Sequence, residues 1–357
     1  MSRHCEEIYA RLAERGHDVS IYCSARPQGD IYRGMRLVRV PSLGVPGWDR
    51  LVYSLLATVL AGFGRYDVVH YHSLANTGFC FLPRLTGKRV VVTIHRLEWQ
   101  DEKWGALTRQ FLRWSEWAAM RFANAVIAVS SHLMDDVAKR NPRGRDIRVI
   151  SNGATVPGDV GTGALTEYGL TAGRYVLSVG RLVPDKGWDV ALDGLDRLDP
   201  GEVAGLEYVI AGGARIETDY VRELSARART AQVPVRLLGM VPPETVEELY
   251  AGALVHLAPS FQEGQPLTVL EAMSHGLCIV ASDIPAHREV IGDAGILYAV
   301  KDPAALAIAL RTVLVDPERR ATIGKRAREA VEQRDELSWD RAADATEVVL
   351  ETSARAW

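Results

Sequence analysis

Apolar positions along the chain cluster into short β-branched runs, each followed by a turn and then by apolar residues at helical spacing. In the first half the runs 19-VSIYC-23, 36-RLVRV-40, 67-DVVHYH-72, 89-RVVVTIH-95, 125-AVIAV-129 and 147-IRVI-150 predict strands. In the second half the same reading applies to 175-YVLSV-179, 207-EYVIA-211, 235-VRLLG-239, 254-LVHLA-258, 278-CIVAS-282 and 295-GILYA-299. Continuous apolar strands alternating with helices predict parallel sheets covered on both faces. The expected fold class is α/β, with two Rossmann-like domains whose strand ends face each other across a cleft.

The seam is visible in 153-GATVPGDVGTGALTEYGLTAG-173, which holds six glycines and one proline and no strand pattern. Residues 1–153 are therefore expected to form an amino-terminal domain, 154–173 a linker and 174–337 a carboxy-terminal domain. The terminal helix, 338–357, is expected to pack back on the first domain. The chain opens with an amphipathic helix carrying Met1, Cys5, Ile8 and Leu12 on one stripe, with Ser2 as a cap and Gly16 as a stop.

Composition narrows the function without naming it. The 357 residues carry a net charge of −3, and no basic excess points to nucleic acid. Four scattered cysteines without a C-x-x-C pair fit a reducing compartment, so a cytoplasmic protein is expected. The longest apolar run, 51-LVYSLLATVLAGF-63, spans 13 residues, too few for a membrane, and reads as a buried helix. The stretch 107-LTRQFLRWSEWAAMRFA-123 mixes Arg109, Arg113 and Arg121 with Trp114 and Trp117; such stripes mostly pack a core, but peripheral membrane docking is a second reading.

Ligands of open parallel sheets sit beyond the carboxyl ends of strands, so the loops there carry the candidate chemistry. In 178-SVGRLVPDKGWD-189, Gly180 and Gly187 permit tight turns while Arg181 and Lys186 approach a helix start near Trp188. Guanidinium, ammonium and helix dipole together suit a diphosphate, against the plainer reading of a solvated loop. In 262-QEGQPLTVLEAMSHG-276, Glu263, Gly264 and Gln265 form a loop, and Pro266 suits the first helical position. The amides of Leu267 and Thr268 would then be donors at the helix mouth. Helix-start electrostatics alone could explain Glu263. They fail for Glu271, set among Leu270, Ala272 and Met273, which needs polar partners such as vicinal hydroxyls. His95 begins a polar loop, His70 reads as a satisfied core histidine, and His72 is open between the two readings. No metal is expected: no histidine pair is joined by a carboxylate at ligand spacing, and no D-x-D motif occurs.

Taken in order, 93-TIHRLEWQDEKWG-105, 179-VGRLVPDKG-187, 263-EGQPLTVLEAMSHG-276 and 281-ASDIPAHREVIGDAG-295 resemble the retaining glycosyltransferases of family 4, which have the GT-B fold. Within it the chain looks nearest to bacterial enzymes of surface or extracellular polysaccharide. The resemblance implies transfer of a sugar from a nucleotide-sugar donor to a saccharide or lipid-linked acceptor, with no cofactor and no metal. It implies that Arg181 and Lys186 hold the diphosphate and that Glu271 receives the ribose hydroxyls. Glu263 would face the sugar and its forming oxocarbenium, and His95 would reach the sugar or acceptor from the first domain. Gly180, Gly264, Gln265, Pro266, Leu267 and Thr268 would complete the donor loop.

Departures exist: Arg96 and Pro266 stand where the family commonly has Gly, and 212-GGA-214 lacks a frequent acidic residue. The family also places a strand and a Gly-rich loop ahead of the opening helix, and the expectation is that a form extended upstream is more stable and more active. An inactive sugar-nucleotide binder or a nucleotide-sugar epimerase are the alternatives. A dehydrogenase is disfavoured because no G-x-G-x-x-G follows a strand.

Overall fold

The computed structural model describes residues 3–23, 29–41, 49–101, 104–142, 144, 146–214 and 216–355. Met1 and Ser2, predicted to stripe and cap the opening helix, lie outside the described residues. The chain forms two compact units, Met1–Gly153 with Glu336–Trp357, and Ala154–Asp335.

In the second unit β8 (Tyr175–Val179), β9 (Glu207–Ala211), β10 (Val235–Gly239), β11 (Val255–Ala258), β12 (Cys278–Ser282) and β13 (Ile296–Tyr298) form one parallel sheet in the order β10-β9-β8-β11-β12-β13. Its core unites Val176, Tyr208, Ile210, Val255, Leu257 and Val280 with the apolar sides of flanking helices, among them Trp188, Leu192 and Leu306. The runs predicted from sequence fall on these strands because buried parallel strands are apolar on both faces. The strand order reverses between β8 and β11, which makes the loops after those two strands the site-forming ones of this sheet.

The stretch 154–173, expected to be a linker, belongs to the second unit and contains the helix Gly163–Glu167. Leu165 is buried against Gly252, and Glu248 accepts a hydrogen bond from the Ala164 amide at 2.6 Å. A glycine-rich composition misled the reading because these anchors come from residues far along the chain.

The first unit has two sheets among its described residues. One joins β1 (Ser20–Cys23) in parallel to β3 (Met35–Arg39), which pairs antiparallel with the two-residue β2 (Ile31–Tyr32). The sequence reading missed β2; Arg33 and Gly34, both at positive φ, form the tight turn of this hairpin. The other sheet is parallel and ordered β4 (Val68–His72), β5 (Arg89–Ile94), β6 (Ala125–Ala128), β7 (Ile147–Val149). A cavity of about 570 Å³ is lined by Ser20–Tyr22 of one sheet and Val68–His72 of the other. The helices Arg3–Glu14 and Trp339–Arg355 are joined by ion pairs of Arg11 with Asp340 and of Arg15 with Asp344 and Glu347.

The helix Asp49–Phe63 is a correction. Expected to be buried, it instead exposes Leu56, Val59, Leu60 and Phe63, the last 81% accessible. Its inner face carries Ser54, Thr58 and Ala61; Ser54 donates to the Asn76 carbonyl, and the Thr58 hydroxyl accepts from Tyr71. Two of its inward residues are thus held by hydrogen bonds. Among the described residues, no helix is long and apolar enough to cross a membrane.

Candidate active site

Two loops at the reversal point of the second sheet carry the predicted donor residues. The first runs from Gly180 to Gly187, ahead of the helix Trp188–Leu195. Gly187 is left-handed at φ 70°, and a Cβ there would lie 2.2 Å from the Pro259 carbonyl oxygen, so only glycine lets the two loops touch. They are joined further by the Phe261 amide donating to the Asp185 carbonyl at 2.8 Å. Gly180 is fixed from the other side, its amide bonded to the Ala211 carbonyl at 2.9 Å.

This backbone contact brings Lys186 and Glu263 together at 2.6 Å, with side-chain exposures of 17% and 14%. Burial pushes the Glu263 carboxyl up, but the Lys186 charge and hydrogen bonds from Lys186 and Ser260 outweigh it and bring it down to about 2. Glu263 is therefore a carboxylate held by its partner, rather than a helix-start charge. Arg181, five residues before Lys186, is exposed, and its carbonyl accepts the Trp188 indole N–H at 3.0 Å.

The helix Leu267–Ser274 begins one residue later than expected, with Pro266 as its cap residue, because Pro266 takes an extended conformation at ψ 93°. Gly264 and Pro266 are buried, while Gln265, Leu267 and Thr268 are partly exposed. Glu271 is 9% exposed and accepts a hydrogen bond from the Tyr250 hydroxyl at 3.2 Å; the same hydroxyl lies 3.1 Å from the Thr268 carbonyl. The polar partner demanded by an acid on an apolar helix is thus supplied in part by the protein. Sequence reasoning missed Tyr250, which lies 21 positions away on another helix, Pro243–Gly252.

It also missed His287, fully buried beside this site. Its Nδ1 meets the Ser282 carbonyl at 2.7 Å, and Ser282 in turn donates to the Ser260 carbonyl. Burial lowers its pKa, and the nearby Glu263 carboxylate raises it in part. The signal was present in 281-ASDIPAHREVIGDAG-295 as a histidine in the first turn of a proline-started helix.

His95 belongs to the first unit and follows β5. Its Nε2 lies 3.0 Å from His72 Nδ1, and its ring meets that of His4 at 4.5 Å between centroids. His4 Nδ1 bonds to Asn152 Oδ1 at 2.6 Å. The Tyr9 hydroxyl meets both His70 Nδ1 at 2.7 Å and His72 Nε2 at 2.6 Å, and His70 Nε2 meets Thr93 Oγ1 at 2.8 Å. Burial first, and mutual repulsion second, pull His72 well below the usual histidine range; burial brings His4 down to about 4. His70 is a satisfied histidine, as its place in a strand suggested. Arg96, the departure from the family pattern, is ion-paired to buried Asp101. In the helix Ala106–Phe122, Ser115, Glu116, Ala118 and Ala119 face inward, while Leu107, Trp114 and Trp117 are exposed.

Comparison with known proteins matches both units. The family profile described as Glycosyltransferase Family 4 covers residues 1–156, and that described as Glycosyl transferases group 1 covers residues 170–330. The alpha-maltose-1-phosphate synthase of Mycolicibacterium smegmatis is 30% identical over 98% of this chain and 95% of its own length.

The chain belongs to glycosyltransferase family 4.

The phosphatidyl-myo-inositol mannosyltransferase of the same organism is 28% identical over 93% of this chain and 85% of its own. The structure of Anabaena Alr3699/HepE in complex with UDP and glucose superposes with a TM-score of 0.79 at 21% identity, covering 98% of this chain and 95% of that one. At that identity the likeness establishes the fold, which is GT-B.

Proposed function

We propose that this glycosyltransferase moves a sugar from a nucleoside-diphosphate donor to a saccharide or lipid-linked acceptor, with retention of anomeric configuration and without a metal on the diphosphate. The observation that carries the reading is the Lys186–Glu263 pair, formed between the two loops at the sheet's reversal point. In the donor-free protein Glu263 balances the Lys186 charge; a bound diphosphate would share that cation with Arg181. Two cations and a helix start then neutralise the leaving group, the task a metal performs elsewhere.

With Lys186 holding its carboxyl down to about 2, Glu263 meets the donor ionised, as an acceptor rather than a source of protons. It suits hydrogen bonding to the donor sugar's hydroxyls and stabilisation of a developing oxocarbenium. The acceptor would accordingly attack on the face from which the diphosphate leaves. Glu271, steadied by Tyr250, would take the ribose hydroxyls, and His95 would serve the sugar or acceptor from the first unit.

A reaction with UDP-, ADP- and GDP-sugars, followed by NMR of the anomeric proton with and without chelator, tests the proposal. Transfer or hydrolysis with the donor's configuration kept, undiminished by chelator, is expected. Inverted product, chelator-abolished turnover, or conversion of the donor to an epimer without acceptor would each refute a stated part. Exposed Leu107, Trp114 and Trp117 beside Arg113 and Arg121 favour membrane contact for a lipid-linked acceptor. Flotation with anionic vesicles should drop when both arginines become serine; unchanged flotation rejects that contact.

A further inference from the structure

The first unit gathers imidazoles in a way that donor chemistry does not require. His4, His72 and His95 each offer one ring nitrogen, and these three atoms lie within 4.8 Å of one another. They come from separate elements: the helix Arg3–Glu14, the end of β4 and the residue after β5. A tetrahedral ion with Zn–N bonds of about 2.0–2.1 Å holds its nitrogens about 3.3 Å apart. His72 Nδ1 and His95 Nε2 already stand 3.0 Å apart, and the His4 nitrogen, within 4.8 Å of both, turns inward to complete the set.

The hydrogen bonds around the cluster fix the lone pair of His4 and are compatible with lone pairs on the other two rings. Asn152 Oδ1 is an acceptor, so His4 Nδ1 carries the proton and the other ring nitrogen carries the lone pair. The remaining bonds are satisfied by either of two opposite directions, and the one that leaves a lone pair for an ion runs His72 Nε2–H to Tyr9 Oη, Tyr9 O–H to His70 Nδ1, and His70 Nε2–H to Thr93 Oγ1. His72 Nδ1 is then left with its lone pair, and a single hydrogen, on His95 Nε2, bridges the two rings. An incoming ion replaces that hydrogen, which moves to His95 Nδ1, and no proton need be lost. Ligating histidines are oriented in this manner, with the second ring nitrogen bonded to an oxygen.

We propose that His4, His72 and His95 form a binding site for a zinc-class transition-metal ion, with the fourth position open to water or a ligand oxygen. Three imidazoles select zinc, copper, nickel or cobalt over magnesium or calcium. The second cluster of suitable side chains among the described residues, His17, Glu347 and Glu351, is more exposed, and its Glu347 already engages Arg15 and His17. It serves as the control. The ion occupies the His95 lone pair and so inhibits sugar transfer; that consequence, unlike the site itself, rests on the role proposed for His95.

Cobalt(II) absorption of the full chain tests the site. Saturable uptake of a single equivalent is expected, with visible bands that vanish on adding zinc. His4→Gln should abolish it, Tyr9→Phe should weaken it about 10-fold by removing an outer hydrogen bond, and Glu351→Gln should leave it unchanged. Absence of saturable uptake in the wild type overturns the proposal, as does loss in Glu351→Gln with retention in His4→Gln. Should His4→Gln fail to fold, Tyr9→Phe decides, and an unchanged affinity there overturns the site. Zinc bound at the cluster with transfer undiminished contradicts the role of His95 and leaves the metal site standing.

Discussion

The two units place their polar machinery differently. In the second, a continuous six-stranded sheet reverses order at β8 and β11, and a single ion pair between adjacent loops concentrates charge at one point. In the first, two sheets line a common cavity, and the buried polar groups are spread over a chain of histidines linked by Tyr9. A concentrated site should fail at a single substitution. A distributed one should lose a little at each.

The largest expected effect is therefore in the second unit. Lys186→Ala should lower transfer by about 10²–10³-fold, the cost of removing one preorganised charge stabiliser. A loss below tenfold in steady-state kcat/KM would break the comparison at its strongest point.

Next comes the acid limb of stability. Glu263 falls from 4.5 in the unfolded chain to about 2 in the fold, so its contribution is fully present above pH 4.5 and is lost as pH falls towards 2. The shift corresponds to about 3 kcal/mol at neutral pH. Urea midpoints of wild type and Glu263→Gln should differ at pH 7 and converge between pH 4.5 and 2; a constant gap would mean that Lys186 does not hold the carboxylate.

Smaller again is Tyr250→Phe, which removes a hydrogen bond to a buried carboxylate and should cost about 2 kcal/mol of stability. Donor affinity should fall with it if Glu271 is the ribose anchor. The smallest change is expected from Tyr9→Phe in the first unit, about 1 kcal/mol, since the histidines it links keep other partners. A larger loss for Tyr9→Phe than for Tyr250→Phe in denaturant titrations would invert the contrast.

The same contrast governs what was legible before the fold was known. Strands such as 207–211 and 278–282 were readable because burial on both faces leaves an uninterrupted apolar run. The loops bearing Lys186 and Glu263 were readable too, since glycine and proline mark where a strand gives way to a helix. Their pairing was not, because it depends on Gly187 meeting Pro259 in the loop of a neighbouring strand, 72 residues away in the chain. Tyr250 and the His4 cluster stayed hidden for the same reason: their partners are distant in sequence. The helix Asp49–Phe63 misled in the opposite sense, its apolar residues facing out while Ser54 and Thr58 bond inward.

The central claim is that the loops after β8 and β11 bind a nucleotide-sugar donor. Thermal melting of the wild type, Lys186→Ala and Glu271→Ala with a panel of UDP-, ADP- and GDP-sugars tests it most directly. At least one donor should raise the wild-type midpoint by a few degrees, with the rise lost in both variants. A wild-type midpoint unmoved by every donor, or variants that respond as the wild type does, would contradict it.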